Sequence, residues 1–150
     1  MISEYEPDYK IFSLNLYDKI LPMTKKQREV YREFGGKLVG RTVMKHHVCE
    51  VLARMDAEII DHITSTCWFF SSMEDAWAFT ILGNELQGQH IVLLSDELLV
   101  QPHTQIQYTI AHEIGHIMLG HRNSILGIQT KTEIRKQEKE ADAFAKKFVH

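Results

Sequence analysis

The residues with the clearest chemical potential lie in the run His112-Glu113-Ile114-Gly115-His116. Residues four apart lie on one face of a helix, so the two imidazoles can share one small metal ion. Glu113, beside the first histidine, can then take a proton from a water bound to that metal. This H-E-x-x-H pattern is typical of zinc hydrolases, and it predicts His112 and His116 as ligands and Glu113 as general base.

A catalytic zinc site usually has a third protein ligand and leaves the fourth position for water. A third histidine would give the metzincin pattern, which requires a glycine at position 119 and a histidine at position 122. The chain has Leu119 and Arg122 there, so this class is excluded. His121 lies five residues beyond His116, on a different face if the helix persists. We therefore expect His121 on the surface or at the rim of the site rather than on the metal.

The other source of a ligand is a carboxylate from the acid-rich segment near the C-terminus. A helical wheel places Glu133 and Glu140 at one edge of the apolar face, and Glu138 and Asp142 at the other. An acid at either edge can point under the core towards a metal, although most acids of such a helix are solvated. The pattern favours Glu140 and leaves the other three open.

Two runs of the sequence, one after the other, resemble the ImmA/IrrE family of metallopeptidases. The segment Tyr108–Leu119 (YTIAHEIGHIML) is similar to the family pattern A-H-E-x-G-H, and the segment 140–145 (EADAFA) is similar to E-A-x-x-F-A. The resemblance is strong over about Ile91–Phe148 and weak before Trp77. It implies a zincin-like, gluzincin-type metallopeptidase with one zinc ion on His112, His116 and Glu140.

The resemblance also implies how a substrate is held. The strand before the motif helix, here His90–Leu94, would bind an extended peptide along its edge. The oxyanion formed during hydrolysis needs a further hydrogen-bond donor. The candidates for this donor are His90, His103, Tyr108 and His121.

Hydrophobic periodicity predicts the elements of the N-terminal half. Thr24 is expected to cap a helix that stops at Gly35-Gly36, and a second helix covers about Arg41–Met55. Within it, the adjacent His46 and His47 diverge by about 100° and cannot share an ion. They are expected at the surface and at the core edge.

The C-terminal half has strand and helix signals. After an ambiguous stretch at Ile59–Phe70, strands at Ala76–Leu82 and His90–Leu94 are predicted to form an antiparallel hairpin. The motif helix opens at Thr104 and ends at Gly120, and a last helix begins near Thr132. The motif helix carries a stripe predicted to be buried, at Ile106, Ile110, Ile114 and Ile117.

These elements predict an α+β fold: a small zincin-like domain whose helices pack on a short, mainly antiparallel sheet. The active site would lie between the motif helix and the C-terminal helix. We expect a single domain over 1–150, with an N-terminal arm (1–22), a helical scaffold (23–56) and a unit of sheet and catalytic helices (57–150). With 44% hydrophobic and 25% charged residues, the chain has a globular composition.

Charge and targeting signals limit the partners. A net charge of −3 gives no electrostatic case for binding nucleic acid or an acidic membrane. There is no basic-then-apolar leader and no apolar run approaching membrane-spanning length, which predicts a cytoplasmic protein. Cys49 and Cys67 lack C-x-x-C spacing and are predicted to be reduced, buried thiols.

The leading hypothesis is a zinc-dependent endopeptidase that hydrolyses a peptide bond in a protein substrate by Glu113-assisted attack of a metal-bound water. The resemblance implies transcriptional repressors among its substrates. The alternative is a non-hydrolytic binding module that keeps the zincin fold and acts as an antirepressor or a toxin–antitoxin partner. A third reading, a DNA-binding regulator built on Thr24–Met55, is disfavoured because acids dilute the basic charge of that segment.

Overall fold

The computed structural model describes residues 23–72, 78–81, 88–121 and 129–149. The N-terminal arm predicted for 1–22 lies outside the described residues. No helix among them is long and apolar enough to cross a membrane. The described elements are α1 (Lys25–Phe34), β1 (Leu38–Val39), α2 (Thr42–Ala53), α3 (Ala57–Thr66), β2 (Cys67–Ser72), β3 (Ala78–Ile81), β4 (His90–Ser95), α4 (Asp96–Leu99), α5 (His103–Met118) and α6 (Lys131–Phe148).

The architecture is α+β, with helices around a small four-stranded sheet of order β1-β2-β4-β3. The pairs β1–β2 and β2–β4 are parallel, and only β3–β4 is antiparallel among the described pairings. The prediction of a mainly antiparallel sheet is therefore wrong. A hairpin is visible in sequence because its strands are neighbours in the chain, whereas parallel strands pair through crossover connections that local patterns do not reveal.

The position of β4 also corrects the expected peptide-binding edge. From Ile91 to Leu94, β4 pairs with β2 on one side and with β3 on the other. Both of its backbone edges are occupied there, so this segment cannot bind an extended peptide as an edge strand. In the described sheet, the border on this side is formed by β3, which packs beside α5.

Helix ends follow the capping signals of the sequence. Thr24 accepts a hydrogen bond from the backbone of Gln27, whose side chain reaches back to the backbone N–H of Thr24. Gly35 ends α1 in the left-handed region, at φ 56°. Thr130 caps α6 by accepting from the N–H of Glu133, so the last helix starts one residue before the predicted Thr132.

The core is formed by apolar residues of the helices and of the two central strands. Phe34 of α1 meets Phe69 of β2 edge to face, with ring centroids 5.7 Å apart. Cys49 and Cys67 are buried free thiols, and burial raises the pKa of each to about 12. The predicted stripe of α5 is confirmed as buried, and it consists of Ile106, Ile110, Ile114 and Ile117.

The helices α5 and α6 approach closely at Gly115. A β-carbon at this position would lie 3.0 Å from Cδ1 and 3.2 Å from Cβ of Phe144. The second of these atoms is fixed to the backbone of α6 and cannot rotate away. The absence of a side chain at Gly115 therefore sets the spacing of the two helices.

The substitution Gly115→Ala tests this packing. At an exposed helix position, alanine would stabilise the fold by about 1 kcal/mol because its helix propensity exceeds that of glycine. At Gly115 the added methyl group is overpacked, which typically costs about 1–3 kcal/mol. We expect a lower free energy of unfolding in urea. The double variant with Phe144→Leu removes the clashing ring and should recover part of the loss. A Gly115→Ala variant more stable than the wild type would contradict the close approach.

A polar cluster lies between α2 and α5. His46 and His47 are both buried, each 4% exposed, so their expected places at the surface and core edge are wrong. His47 is covered because α5 begins directly over its side of α2, where the rings of His47 and His103 lie 5.4 Å apart. Glu50 accepts a hydrogen bond from Gln107 at 2.8 Å and lies 2.7 Å from Nε2 of His103.

Burial of His47 makes stability depend on pH. Burial, followed by the nearby charge of His103, lowers the pKa of His47 to about 4, against the opposing effect of Glu50. Above pH 6.5 the ring is neutral in both states, so it makes no pH-dependent contribution. Below that pH the unfolded chain takes up a proton that the native ring does not, and stability falls until about pH 4.

We expect this histidine to cost about 2 kcal/mol of unfolding free energy between pH 7 and pH 5. The substitution His47→Gln removes the titrating ring and should flatten that part of the profile in urea unfolding. His62→Gln, at an exposed histidine of α3, is the matched control and should leave the profile unchanged. Equal pH slopes for the wild type and His47→Gln would refute the assignment.

Candidate metal centre

Three side chains from α5 and α6 converge on one point. Nε2 of His112 lies 3.1 Å from Nε2 of His116 and 3.0 Å from Oε2 of Glu138, and Nε2 of His116 lies 3.1 Å from Oε1 of Glu138. The three donor groups thus form a triangle, in which each histidine meets a different oxygen of the carboxylate, and this arrangement could hold a metal ion.

The triangle follows from helix periodicity on both sides. On α5, the spacing of four between His112 and His116 places the two rings one above the other. On α6, the same spacing between Glu138 and Asp142 directs both carboxylates towards α5. The histidine side chains are 14% exposed and that of Glu138 is 54% exposed, so the triangle lies at the protein surface with the histidines on its inner side.

The ring of His112 is held from behind by Asp142. Its Nδ1 lies 2.9 Å from Oδ1 of Asp142, which also accepts a hydrogen bond of 2.6 Å from the hydroxyl of Tyr108. The pKa of Asp142 is lowered below its ordinary value, chiefly by this hydrogen bond. Burial opposes the shift, and the nearby His112 adds to it. Burial and then Asp142 raise the pKa of Tyr108 to about 12. The tyrosine therefore keeps its proton, and the aspartate stays ionised beside His112.

The ring of His116 contacts a second histidine. Its Nδ1 lies 2.9 Å from Nδ1 of His121, whose Nε2 lies 3.1 Å from Oε1 of Glu140. Burial lowers the pKa of His116, assisted by the neighbouring His112 and His121 and opposed by Glu138. A neutral imidazole at physiological pH is the form that can bind a metal.

Glu113 lies on the same helix, directly after the first histidine of the motif. It is 8% exposed, which is unusual for a glutamate and places it within the protein rather than on its surface. It has a polar or electrostatic partner in the structure. The role of Glu113 as general base stays a prediction.

The structure brings Glu138, rather than Glu140, to the two motif histidines. Glu140 lies at the opposite edge of α6 and contacts His121 instead. The helical wheel had assigned Glu138 and Asp142 to one edge and Glu140 to the other, and the packing of α6 turns the first edge towards α5. The signal that could have identified Glu138 is its spacing of four from Asp142, which matches the spacing of the histidines.

The four candidate oxyanion donors are placed differently. Tyr108 and His121 contact the cluster, Tyr108 through Asp142 and His121 through His116. His103 opens α5, roughly 13 Å along the helix axis from His112, and contacts Glu50. The remaining candidate, His90, packs beside an exposed histidine of α3 at the start of β4.

The donor set fits zinc. Two imidazole nitrogens and one carboxylate oxygen are a common ligand set for catalytic zinc, with the fourth position left for water. Tetrahedral bonds of about 2.0–2.2 Å place neighbouring ligands about 3.3 Å apart. The separations of 3.0–3.1 Å in the triangle are close to that value.

A comparison with protein families supports a proteolytic role for this part of the chain. Residues 103–150 match the sequence model of a family described as Peptidase U49. The match covers about a third of the chain and contains α5, α6 and every residue of the triangle. In the same comparisons, no curated protein and no solved structure showed significant similarity. The C-terminal segment of this chain is therefore similar to a peptidase family.

Proposed function

We propose that the protein is a zinc-dependent endopeptidase that hydrolyses a peptide bond in a protein substrate. The observation that carries the proposal is the convergence of two imidazole nitrogens of an H-E-x-x-H helix and the carboxylate of Glu138, at separations of 3.0–3.1 Å. The match of this same segment to a peptidase family supports it independently of geometry. The proposed ligands are His112, His116 and Glu138, with Glu138 replacing the Glu140 that the sequence favoured.

A zinc ion bound there would supply a Lewis acid for the substrate carbonyl and lower the pKa of a coordinated water. The carboxylate of Glu113 would accept a proton from the attacking water and deliver it to the leaving amine. Asp142 would keep the ring of His112 oriented, because its charge lies 2.9 Å from Nδ1. Tyr108 is a candidate oxyanion donor one turn before His112 on the same helix, and in that role its hydroxyl would turn its proton from Asp142 to the substrate.

The substrate would bind along β3. This strand forms the border of the described sheet beside α5, so its outer edge could pair with an extended peptide. Backbone pairing recognises an extended segment with little dependence on sequence, and side-chain pockets would then select among substrates. A cytoplasmic protein such as a transcriptional repressor, presented through an unfolded loop, is the proposed substrate class.

The variant Glu113→Gln tests the chemistry. Loss of a general base typically lowers turnover by roughly 100- to 10,000-fold, because the amide cannot take the proton. The zinc-loaded protein is incubated with a mixture of unfolded proteins, and new N-termini are counted by mass spectrometry. Glu97→Gln, at an exposed glutamate of α4, is the matched control and should cleave like the wild type.

Cleavage by Glu113→Gln at the wild-type rate would refute its role as base. A wild-type protein that binds zinc and yields no new N-termini would favour a binding module with a zincin-like site. Cleavage that survives removal of zinc by a chelator would reject the metallopeptidase proposal itself.

The third ligand is tested by a matched pair of substitutions on one helix, Glu138→Gln and Glu140→Gln. Each removes one negative charge from α6, so a difference between them reports position rather than net charge. We expect Glu138→Gln to weaken zinc binding by more than the roughly 10- to 100-fold typical of residues that only orient a ligand. Zinc affinity is measured by competition with a chromophoric chelator. A larger loss in Glu140→Gln would restore Glu140 as the ligand.

A further inference from the structure

We propose that His121 is a positioning residue for His116, anchored in turn by Glu140. The inference rests on the proposed metal site and assigns a role to two residues outside its ligand triangle. His121 connects the two others directly: its Nδ1 lies 2.9 Å from Nδ1 of His116 and its Nε2 lies 3.1 Å from Oε1 of Glu140. His116, His121 and Glu140 thus form one series of polar contacts, with His121 in the middle.

Burial supports a fixed geometry for this series of polar contacts. The side chain of His121 is 6% exposed, whereas that of Glu140 is 46% exposed. The histidine is therefore held within the protein, and the carboxylate remains in contact with solvent, where its charge is inexpensive to keep. The rings of His116 and His121 meet edge to face, with centroids 5.1 Å apart.

The backbone after α5 explains how His121 reaches this position. Helix α5 ends at Met118, and Gly120 takes the left-handed conformation, at φ 66°. The N–H of Gly120 bonds to the carbonyl of Ile117, and that of His121 bonds to the carbonyl of His116. These two bonds form a Schellman motif, which reverses the chain over the last helical turn. This reversal brings the side chain of His121 back to His116, whose carbonyl accepts the backbone N–H of His121.

The order of donors and acceptors in this series of contacts determines which nitrogen of His116 is available to bind a metal. A carboxylate only accepts, so Nε2 of His121 carries the proton directed at Glu140. In the neutral ring Nδ1 of His121 is then an acceptor, and the contact of 2.9 Å requires Nδ1 of His116 to donate. In the zinc-bound protein Nε2 of His116 would give its lone pair to the metal instead of sharing a proton with Glu138, so Nδ1 would carry the proton that His121 accepts.

The other motif histidine has an equivalent support. Asp142 faces Nδ1 of His112 directly, whereas Glu140 acts on Nδ1 of His116 through the ring of His121. Each ligand is thus oriented from its far nitrogen by a carboxylate of α6, in one case with an imidazole between them. Such outer partners fix ring orientation and tautomer, and their loss typically weakens metal binding 10- to 100-fold.

The experiment compares three variants of the full chain. His121→Phe keeps a ring but removes both nitrogens, His121→Asn keeps an acceptor near the position of Nδ1, and Glu140→Gln removes the anchoring charge. His62→Phe, at an exposed histidine of α3, is the control. Zinc dissociation constants are measured by chelator competition, and NMR of the zinc-loaded protein measures how fast the Nδ1 proton of His116 exchanges with water.

We expect His121→Phe to raise the zinc dissociation constant by roughly 10- to 100-fold, with partial rescue in His121→Asn and no change in His62→Phe. In the zinc-loaded wild type, the Nδ1 proton of His116 should exchange slowly with water because His121 accepts it, and its exchange should be faster in His121→Phe. A merely structural role for the ring would leave this exchange unchanged in His121→Phe. If His121→Phe does not fold, His121→Asn and the surface change Glu140→Gln still test the inference through the same two measurements.

Equal exchange rates of the Nδ1 proton of His116 in the zinc-loaded wild type and His121→Phe, or an unchanged zinc dissociation constant in folded His121→Phe, would overturn the inference while leaving the metal site intact. A wild-type protein that binds no zinc would instead overturn the proposed function on which the inference rests.

Discussion

The contact between Gly115 and Phe144 is the constraint on which the candidate site depends. With no side chain at Gly115, α6 approaches α5 closely enough for a β-carbon there to clash with Phe144. The histidines that flank Gly115 belong to α5, and the carboxylates that meet them belong to α6. The separations of 3.0–3.1 Å within the triangle therefore follow from an apolar contact next to it.

The close approach places polar groups in a partly buried setting, where each needs a partner. Carboxylates at both edges of α6 are these partners. Asp142 contacts His112, and Glu140 contacts His121, which lies behind His116. Only Glu138 remains directed at the inner nitrogens of both histidines. Acids that resemble a solvated helix face in the sequence thus perform three different tasks. Their assignment follows from which edge of the helix faces α5.

Local signals predicted much of the fold, because capping and periodicity depend on neighbours in the chain. Thr24, Gly35 and the buried stripe of α5 were all predicted from such patterns and are found in the structure. The parallel pairing of β2 with β4 was missed because it joins distant segments. The burial of His47 was missed for the same reason, since α5 covers it from far along the sequence.

The sequence by itself determined the motif on one helical face, the pair of histidines, the glutamate beside them and a short set of acids as candidates for a third position. These follow from the helical repeat, which fixes the relative direction of side chains within one helix. Only the tertiary structure brought Glu138 rather than Glu140 to the two histidines, because the rotation of α6 about its axis depends on its packing against α5. It also decided the position of His121. The sequence predicted His121 at the surface or at the rim of the site, whereas the left-handed turn at Gly120 directs His121 back towards His116.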